Sequence, residues 1–156
     1  MPSTDAILDA LRNRGWTVTC AESCTGGMVA AAITDVAGSS DVFERGFVTY
    51  SNAAKREMLG VRAATLEAHG AVSEDVAAEM ARGALRAAEA DIAVAISGIA
   101  GPGGSDNKPE GRVCFALALA GSVTTETVEF GAIGRGNVRS RSRDYALKLI
   151  LQAAQP

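Results

Sequence analysis

The spacing of apolar residues along this chain changes repeatedly, and each change marks an element. Ile7, Leu8 and Leu11 share one helical face, which Ser3 or Thr4 can cap and Gly15 can end. Residues 16–21, WTVTCA, alternate as a strand does. From Gly26 to Val36 the period is helical again, through Met28, Val29, Ala32, Ile33 and Val36. GSSD at 38–41 reads as a loop, and FERGFVTY at 43–50 as a second strand. Ser51 or Asn52 can cap a short helix carrying Lys55, Met58 and Leu59, and a helical turn follows at 65–69. Ser73 caps a longer helix with Glu74 and Asp75 at its positive end and a stripe of Val76, Met80, Ala84 and Leu85. IAVAIS at 92–97 is almost wholly apolar, the pattern of a central strand covered on both faces. After a Gly/Pro loop at 97–111, residues 113–119 and 123–130 alternate about Gly121–Ser122 as a hairpin. Asn137 opens a last helix with Val138, Tyr145, Ala146, Leu149 and Ile150 inward.

Helices alternate with strands, with one hairpin late. That order predicts an α/β fold, a three-layer α/β/α sandwich around a mixed sheet, forming a single domain over residues 1–156. In such sheets ligands bind beyond the carboxyl ends of the parallel strands. The loops predicted to leave that edge are 22–27, 51–54 and 97–111, and they hold most of the unusual residues.

Composition narrows the function classes. Aromatics are 4% of the chain, so Ala, Val, Leu and Ile must fill the core. The net charge of −3 argues against a nucleic-acid surface, though one small basic pocket remains compatible with it. No apolar run has the length of a membrane span, and MPSTDAILDA shows no signal-peptide pattern, so a cytoplasmic protein is expected. Cys20, Cys24 and Cys114 are odd in number and irregular in spacing, which predicts reduced thiols. With His69 as the single histidine, no common zinc set can be assembled, so neither metal nor cofactor is expected.

Ser23 follows a strand and precedes a glycine-opened helix. A helix start offers free N–H groups to a phosphate or oxyanion, and Gly26 and Gly27 would let a ligand approach the backbone. Taken alone, AESCTGG favours a capping role for Ser23 or Thr25. A nucleophilic serine needs a base. His69 adjoins Gly70 at a helix end and fits a serine triad poorly. A desolvated lysine is the alternative. Of Lys55, Lys108 and Lys148, Lys55 lies at the same predicted sheet edge as Ser23, beside Tyr50, Ser51 and Asn52. Lys108 sits in the glycine loop and reads as mobile, and Lys148 as an exposed helix position. SGIAGPGG at 97–104 is neither a Walker loop nor a dinucleotide fingerprint. Arg135, Arg139, Arg141 and Arg143 read mostly as a solvated face from which one or two could reach a phosphate.

Together AESCTGG (21–27), GFVTYSNAAK (46–55), HGAVSE (69–74) and SGIAGPGG (97–104) resemble the CinA C-terminal domain family. The resemblance runs from about Thr17 to the last helix. Stand-alone members of that family are nicotinamide-nucleotide amidohydrolases, and this chain resembles that short form, without the molybdopterin-binding-like domain of two-domain relatives. The resemblance implies an anticodon-binding-domain-like sandwich and metal-free hydrolysis of the carboxamide of nicotinamide mononucleotide, a pyridine nucleotide, to nicotinate mononucleotide and ammonia. The family serine falls on Ser23, the lysine on Lys55 and the tyrosine on Tyr50. The family arginine falls on Arg135 or Arg139, with Arg135 preferred. On this reading Ser23 attacks the amide, Lys55 takes its proton, and Tyr50 or Arg135 keeps the lysine neutral or passes the proton on. Thr25, Gly26, Gly27, Asn52, Ser97, Gly98, Gly101 and Arg139 contact substrate, with backbone N–H groups at 25–27 holding the oxyanion. A homodimer or higher homo-oligomer is expected. Two other classes stay open: a non-catalytic nucleotide-binding or regulatory module, which has no use for a Ser23–Lys55 pair, and a ligand-free interaction domain, which leaves both glycine loops unexplained.

Overall fold

The computed structural model describes residues 3–156. Six helices and five strands follow in the order α1 (Thr4–Arg14), β1 (Val18–Glu22), α2 (Met28–Thr34), β2 (Phe47–Val48), α3 (Asn52–Leu59), α4 (Ala63–His69), α5 (Glu74–Ala88), β3 (Ile92–Gly98), β4 (Arg112–Leu119), β5 (Ser122–Glu129) and α6 (Arg135–Ala154), with a 3₁₀ turn at Ser39–Asp41. The strands form one sheet ordered β2-β1-β3-β4-β5. β1 is parallel to both β2 and β3, whereas β3–β4 and β4–β5 are antiparallel. This is the expected mixed sheet. The chain leaves β1 for β2 on one side and returns to β3 on the other, so the switch point lies beside β1.

The two faces of the sheet differ in side-chain size. Ile92, Val94, Ile96, Val113 and Phe115 meet Leu8, Leu11, Val29, Ile33, Val138 and Ile150 of α1, α2 and α6. Ala93, Ala95, Cys114, Ala116 and Ala118 meet Val76, Ala77, Met80, Ala81 and Ala84 of α5. The alternation of large and small residues along β3 and β4 therefore assigns each face its helices, with α5 riding close over alanines. Gly83 extends that close packing to α3, since a Cβ there would lie 1.9 Å from the Leu59 carbonyl oxygen. Phe115, the one aromatic in the fully buried core, stacks on Tyr145 with centroids 4.7 Å apart.

Several boundaries differ from the sequence reading. β1 lies at 18–22 and is buried at every position, because helices cover both faces. The strand expected over 43–50 shrinks to Phe47–Val48. Residues 44–46 leave the ladder, and Thr19 Oγ1 reaches out to donate to Arg45 O at 2.8 Å. α2 starts at Met28 because Gly26 and Gly27 have positive φ, 57° and 106°. α6 starts at Arg135, and the Asn137 side chain turns back to donate to Ile133 O. Ser3, Ser51 and Ser73 cap α1, α3 and α5 as their sequence positions imply. No helix among the described residues is long and apolar enough to cross a membrane.

Candidate active site

Three chain segments leave the carboxyl edge of the parallel strands beside the switch point: 23–27 after β1, 49–51 after β2, and 99–111 after β3. Between them lies a cavity of about 330 Å³, lined among others by Ser23, Cys24, Tyr50, Asn52, Lys55 and Arg135. Ser97, Gly98 and Gly101 border it as well. All of these but Cys24 are expected site residues, so eight of the twelve expected from the sequence meet on one surface.

Ser51 caps α3 directly after β2, which places Lys55 one turn into the helix with its stem directed back under the sheet edge. Lys55 is 1% exposed. Its Nζ lies 2.9 Å from Ser23 Oγ, 2.8 Å from Thr49 O and 3.2 Å from Tyr50 O. No carboxylate pairs with it among the described residues. Burial without a counter-charge disfavours the ammonium and lowers its pKa to about 8, with only a small opposing influence from Cys24. A neutral amine has two N–H bonds and one lone pair. In the ammonium form all three contacts are donated by Nζ; once the proton is lost, two backbone carbonyls hold the N–H bonds and the lone pair faces the serine hydroxyl.

Burial alone lowers that pKa, without the expected contribution from Arg135. Arg135 does not approach Lys55; its guanidinium donates to Gly101 O at 2.7 Å and to the Tyr50 hydroxyl at 2.9 Å. Tyr50 serves the lysine through its carbonyl, while its phenol is out on the cavity rim and the residue is 61% exposed. Cys24, next to the serine and 5% exposed, is a thiol pushed up to about 11 by burial, so it stays protonated at neutral pH. His69 is half exposed, 3.6 Å from Asp75, and borders no part of the cavity.

The segment after β1 is organised by a residue that sequence reasoning passed over. Glu22, fully buried, folds its carboxyl group back over the start of α2. Oε1 accepts from Thr25 Oγ1 at 2.7 Å, Gly27 N at 3.2 Å and Val29 N at 2.9 Å, and Oε2 from Ala30 N at 3.0 Å. The Cys20 thiol adds a contact at 3.5 Å, and burial together with Glu22 raises its pKa well above the ordinary range. Neither Ser23 nor Thr25 is therefore the cap: α2 follows Gly27, with no side-chain cap from that residue. Thr25 is fully buried and its hydroxyl is spent on Glu22, which removes it from the substrate surface. Gly26 N donates to Ser23 O and Gly27 N to Glu22, so neither N–H is free for an oxyanion. Arg139 sits behind the same segment, with Nε 3.0 Å from Cys24 O and a terminal nitrogen 3.4 Å from Thr25 O. Thr25, Gly26, Gly27 and Arg139 lie outside the cavity lining.

On the far wall, Ser97 Oγ donates to Ala71 O at 2.8 Å. Lys108, expected to be mobile, is anchored by His69 O and Val72 O, both at 2.6 Å, and ties the glycine loop to the α4–α5 connection. The only sequence sign of Glu22's role was an acid at the end of an apolar strand, just before a helix without its own capping side chain.

The CinA C-terminal domain family pattern matches residues 2–154, and the chain belongs to that family. It is 57% identical over 153 residues to a protein named nicotinamide-nucleotide amidohydrolase PncC from Escherichia coli K12, covering 97% of this chain and 93% of that one. Among solved structures, a CinA superfamily protein from Klebsiella pneumoniae superposes with a TM-score of 0.93 at 43% identity, covering 97% of this chain and 94% of that chain. A competence/damage-inducible protein from Agrobacterium tumefaciens gives 0.93 at 44% identity, covering 99% and 98%.

Proposed function

We propose that this protein hydrolyses the carboxamide of nicotinamide mononucleotide to nicotinate mononucleotide and ammonia, with Ser23 as nucleophile and Lys55 as general base. One observation carries the reading: a buried, carbonyl-held Lys55 amine 2.9 Å from Ser23 Oγ at the wall of a cavity. Such a pair has no purpose in a protein that only binds. The amidohydrolase name of a 57% identical relative supports the choice of amide and of nucleotide.

In the acylation step Ser23 Oγ bonds to the amide carbon, the carbonyl π pair moves onto oxygen, and the serine proton passes to Lys55 Nζ. Lys55 then protonates the departing nitrogen, the C–N bond breaks and ammonia leaves. Water repeats the attack on the resulting ester with Lys55 again taking the proton, and the free acid departs as Ser23 is reprotonated. No step calls on a metal ion. Arg135 and the Tyr50 phenol form the rim across which the nucleotide enters, and Asn52, Gly98 and Gly101 border the bound substrate. Residues 1–156 act as one amidohydrolase domain in pyridine nucleotide salvage in the cytoplasm, as a homodimer or higher homo-oligomer, without nucleic acid.

The test is ammonia release from nicotinamide mononucleotide. Ser23→Ala is expected to abolish it while the fold and product binding persist, since one small hydroxyl is lost. Wild-type turnover in Ser23→Ala would overturn the mechanism. No release by the unmodified protein would overturn the activity.

A further inference from the structure

We infer that Glu22 and Arg139 are positioning residues that brace the nucleophile segment from two sides, and that the brace aims the N–H group of Cys24 as an oxyanion donor. The inference rests on the serine reading above and goes beyond it.

The residues between Ser23 and Gly27 carry backbone donors and acceptors that must be satisfied or used. Glu22 collects donors, namely the Thr25 hydroxyl and the N–H groups of Gly27, Val29 and Ala30. Arg139 collects acceptors, the carbonyls of Cys24 and Thr25. Ser23 itself is held at both backbone ends: its N–H donates to Ile96 O at 3.0 Å and its carbonyl accepts from Gly26 at 3.1 Å. An acid that takes donors and a guanidinium that takes acceptors cannot exchange roles, so the pair dictates which way these peptides face. The Ser23 carbonyl, turned toward Gly26 within this braced segment, shares its trans peptide with the Cys24 N–H, which therefore faces the other way. Beyond its own thiol, the Cys24 N–H has no acceptor among the described residues. It belongs to the residue directly after the nucleophile, and Cys24 lines the cavity. A negative charge developing next to Ser23 finds there a backbone donor on the cavity side.

The arrangement also separates the two acid–base systems of the site. Glu22 faces the start of α2 and Lys55 faces two carbonyls, so the base keeps its proton affinity independently of the brace. Loosening the brace should therefore misplace the Cys24 N–H and the serine without retuning the lysine.

The experiment uses Glu22→Gln and Arg139→Met in the full chain. A glutamine keeps one acceptor oxygen but sets an NH₂ group against either the Ala30 N–H or the donors now on Oε1, so it weakens the brace while conserving volume. For each variant, kcat and KM are measured over a pH series. The affinities of nicotinate mononucleotide and of the pyridine-3-carboxaldehyde analogue of the substrate are measured by calorimetry. The aldehyde forms a hemiacetal with Ser23: one C–O bond forms, and the serine proton ends on the former carbonyl oxygen. The tetrahedral adduct thus places this oxygen where the transition state does, whereas the planar carboxylate of the product does not. The expected result is a kcat lower by about 10- to 100-fold, an unchanged KM and pH midpoint, and a loss of aldehyde affinity by a similar factor with product affinity intact. Aldehyde binding as tight as in the wild type would overturn the inference, and so would an equal loss for aldehyde and product, which marks general damage to the site. Should Glu22→Gln not fold, Arg139→Met decides alone. Full ammonia release by Ser23→Ala would instead remove the serine reading on which the brace depends, a distinguishable failure.

Discussion

Lys55 is the residue whose titration the structure makes measurable. Burial lowers its pKa from 10.5 to about 8. At pH 7 about a tenth of the molecules then hold the neutral amine, against roughly one in three thousand for a lysine at its ordinary pKa. With Lys55 as base, kcat/KM should rise about tenfold between pH 7 and a plateau near pH 9, through a single ionisation with its midpoint near 8. Stability carries a second signature of the same group. Between pH 8 and pH 10.5 the unfolded chain binds more protons at this site than the folded one, so stability rises with pH across that window. Below it the full penalty of burying the ammonium is present, about 3 kcal/mol. Lys55→Met removes the penalty but leaves the carbonyls of Thr49 and Tyr50 without their donor, at roughly 1–3 kcal/mol each. The absolute change is therefore a difference of similar terms, whereas its pH dependence isolates the titration: the wild type should gain on the variant from pH 8 to 10. Lys55→Arg should be nearly as inactive as Lys55→Met, because a guanidinium keeps its proton. Ammonia release over a pH series and urea unfolding at three pH values test all of this. A rate flat from pH 7 to 9, or an active Lys55→Arg, would refute the reasoning and make Lys55 a fixed positive charge.

Dialysis against a strong chelator should leave ammonia release unchanged; activity lost on chelation and restored by zinc would sink the metal-free mechanism. Gly83→Ala would push a Cβ to 1.9 Å from Leu59 O at the end of the helix that carries Lys55. Relieving that overlap should cost roughly 1–3 kcal/mol, read as a lower urea midpoint, and should depress turnover by moving α3; an unchanged midpoint would show that α3 and α5 separate freely. Light scattering at assay concentration should report a homodimer or larger assembly, and a monomer would remove that expectation.

What the sequence determined by itself was local. Ser3, Ser51 and Ser73 each precede a run with helical spacing, and each caps a helix because capping needs only the next three residues. The apolar run at 92–97 lies at the centre of the sheet, since such a run can be buried only with both faces covered. Four motifs in order carried the family, and Ser23, Tyr50 and Lys55 could be placed near one sheet edge before any coordinates. The tertiary structure decided whatever depends on partners distant in sequence. Lys55 and Ser23 are 32 residues apart, and their 2.9 Å contact and the lysine's desolvation exist only once α3 packs against α5. Arg135 went to Tyr50 and Gly101, and Arg139 to the back of the nucleophile segment, from neighbouring turns of one helix whose placement no periodicity reveals. Glu22 was invisible as a cap because it reaches its helix from the strand behind it, across a turn made by two positive-φ glycines. Local pattern specifies which groups are present; burial and long-range packing set their charge, their direction and hence their chemistry.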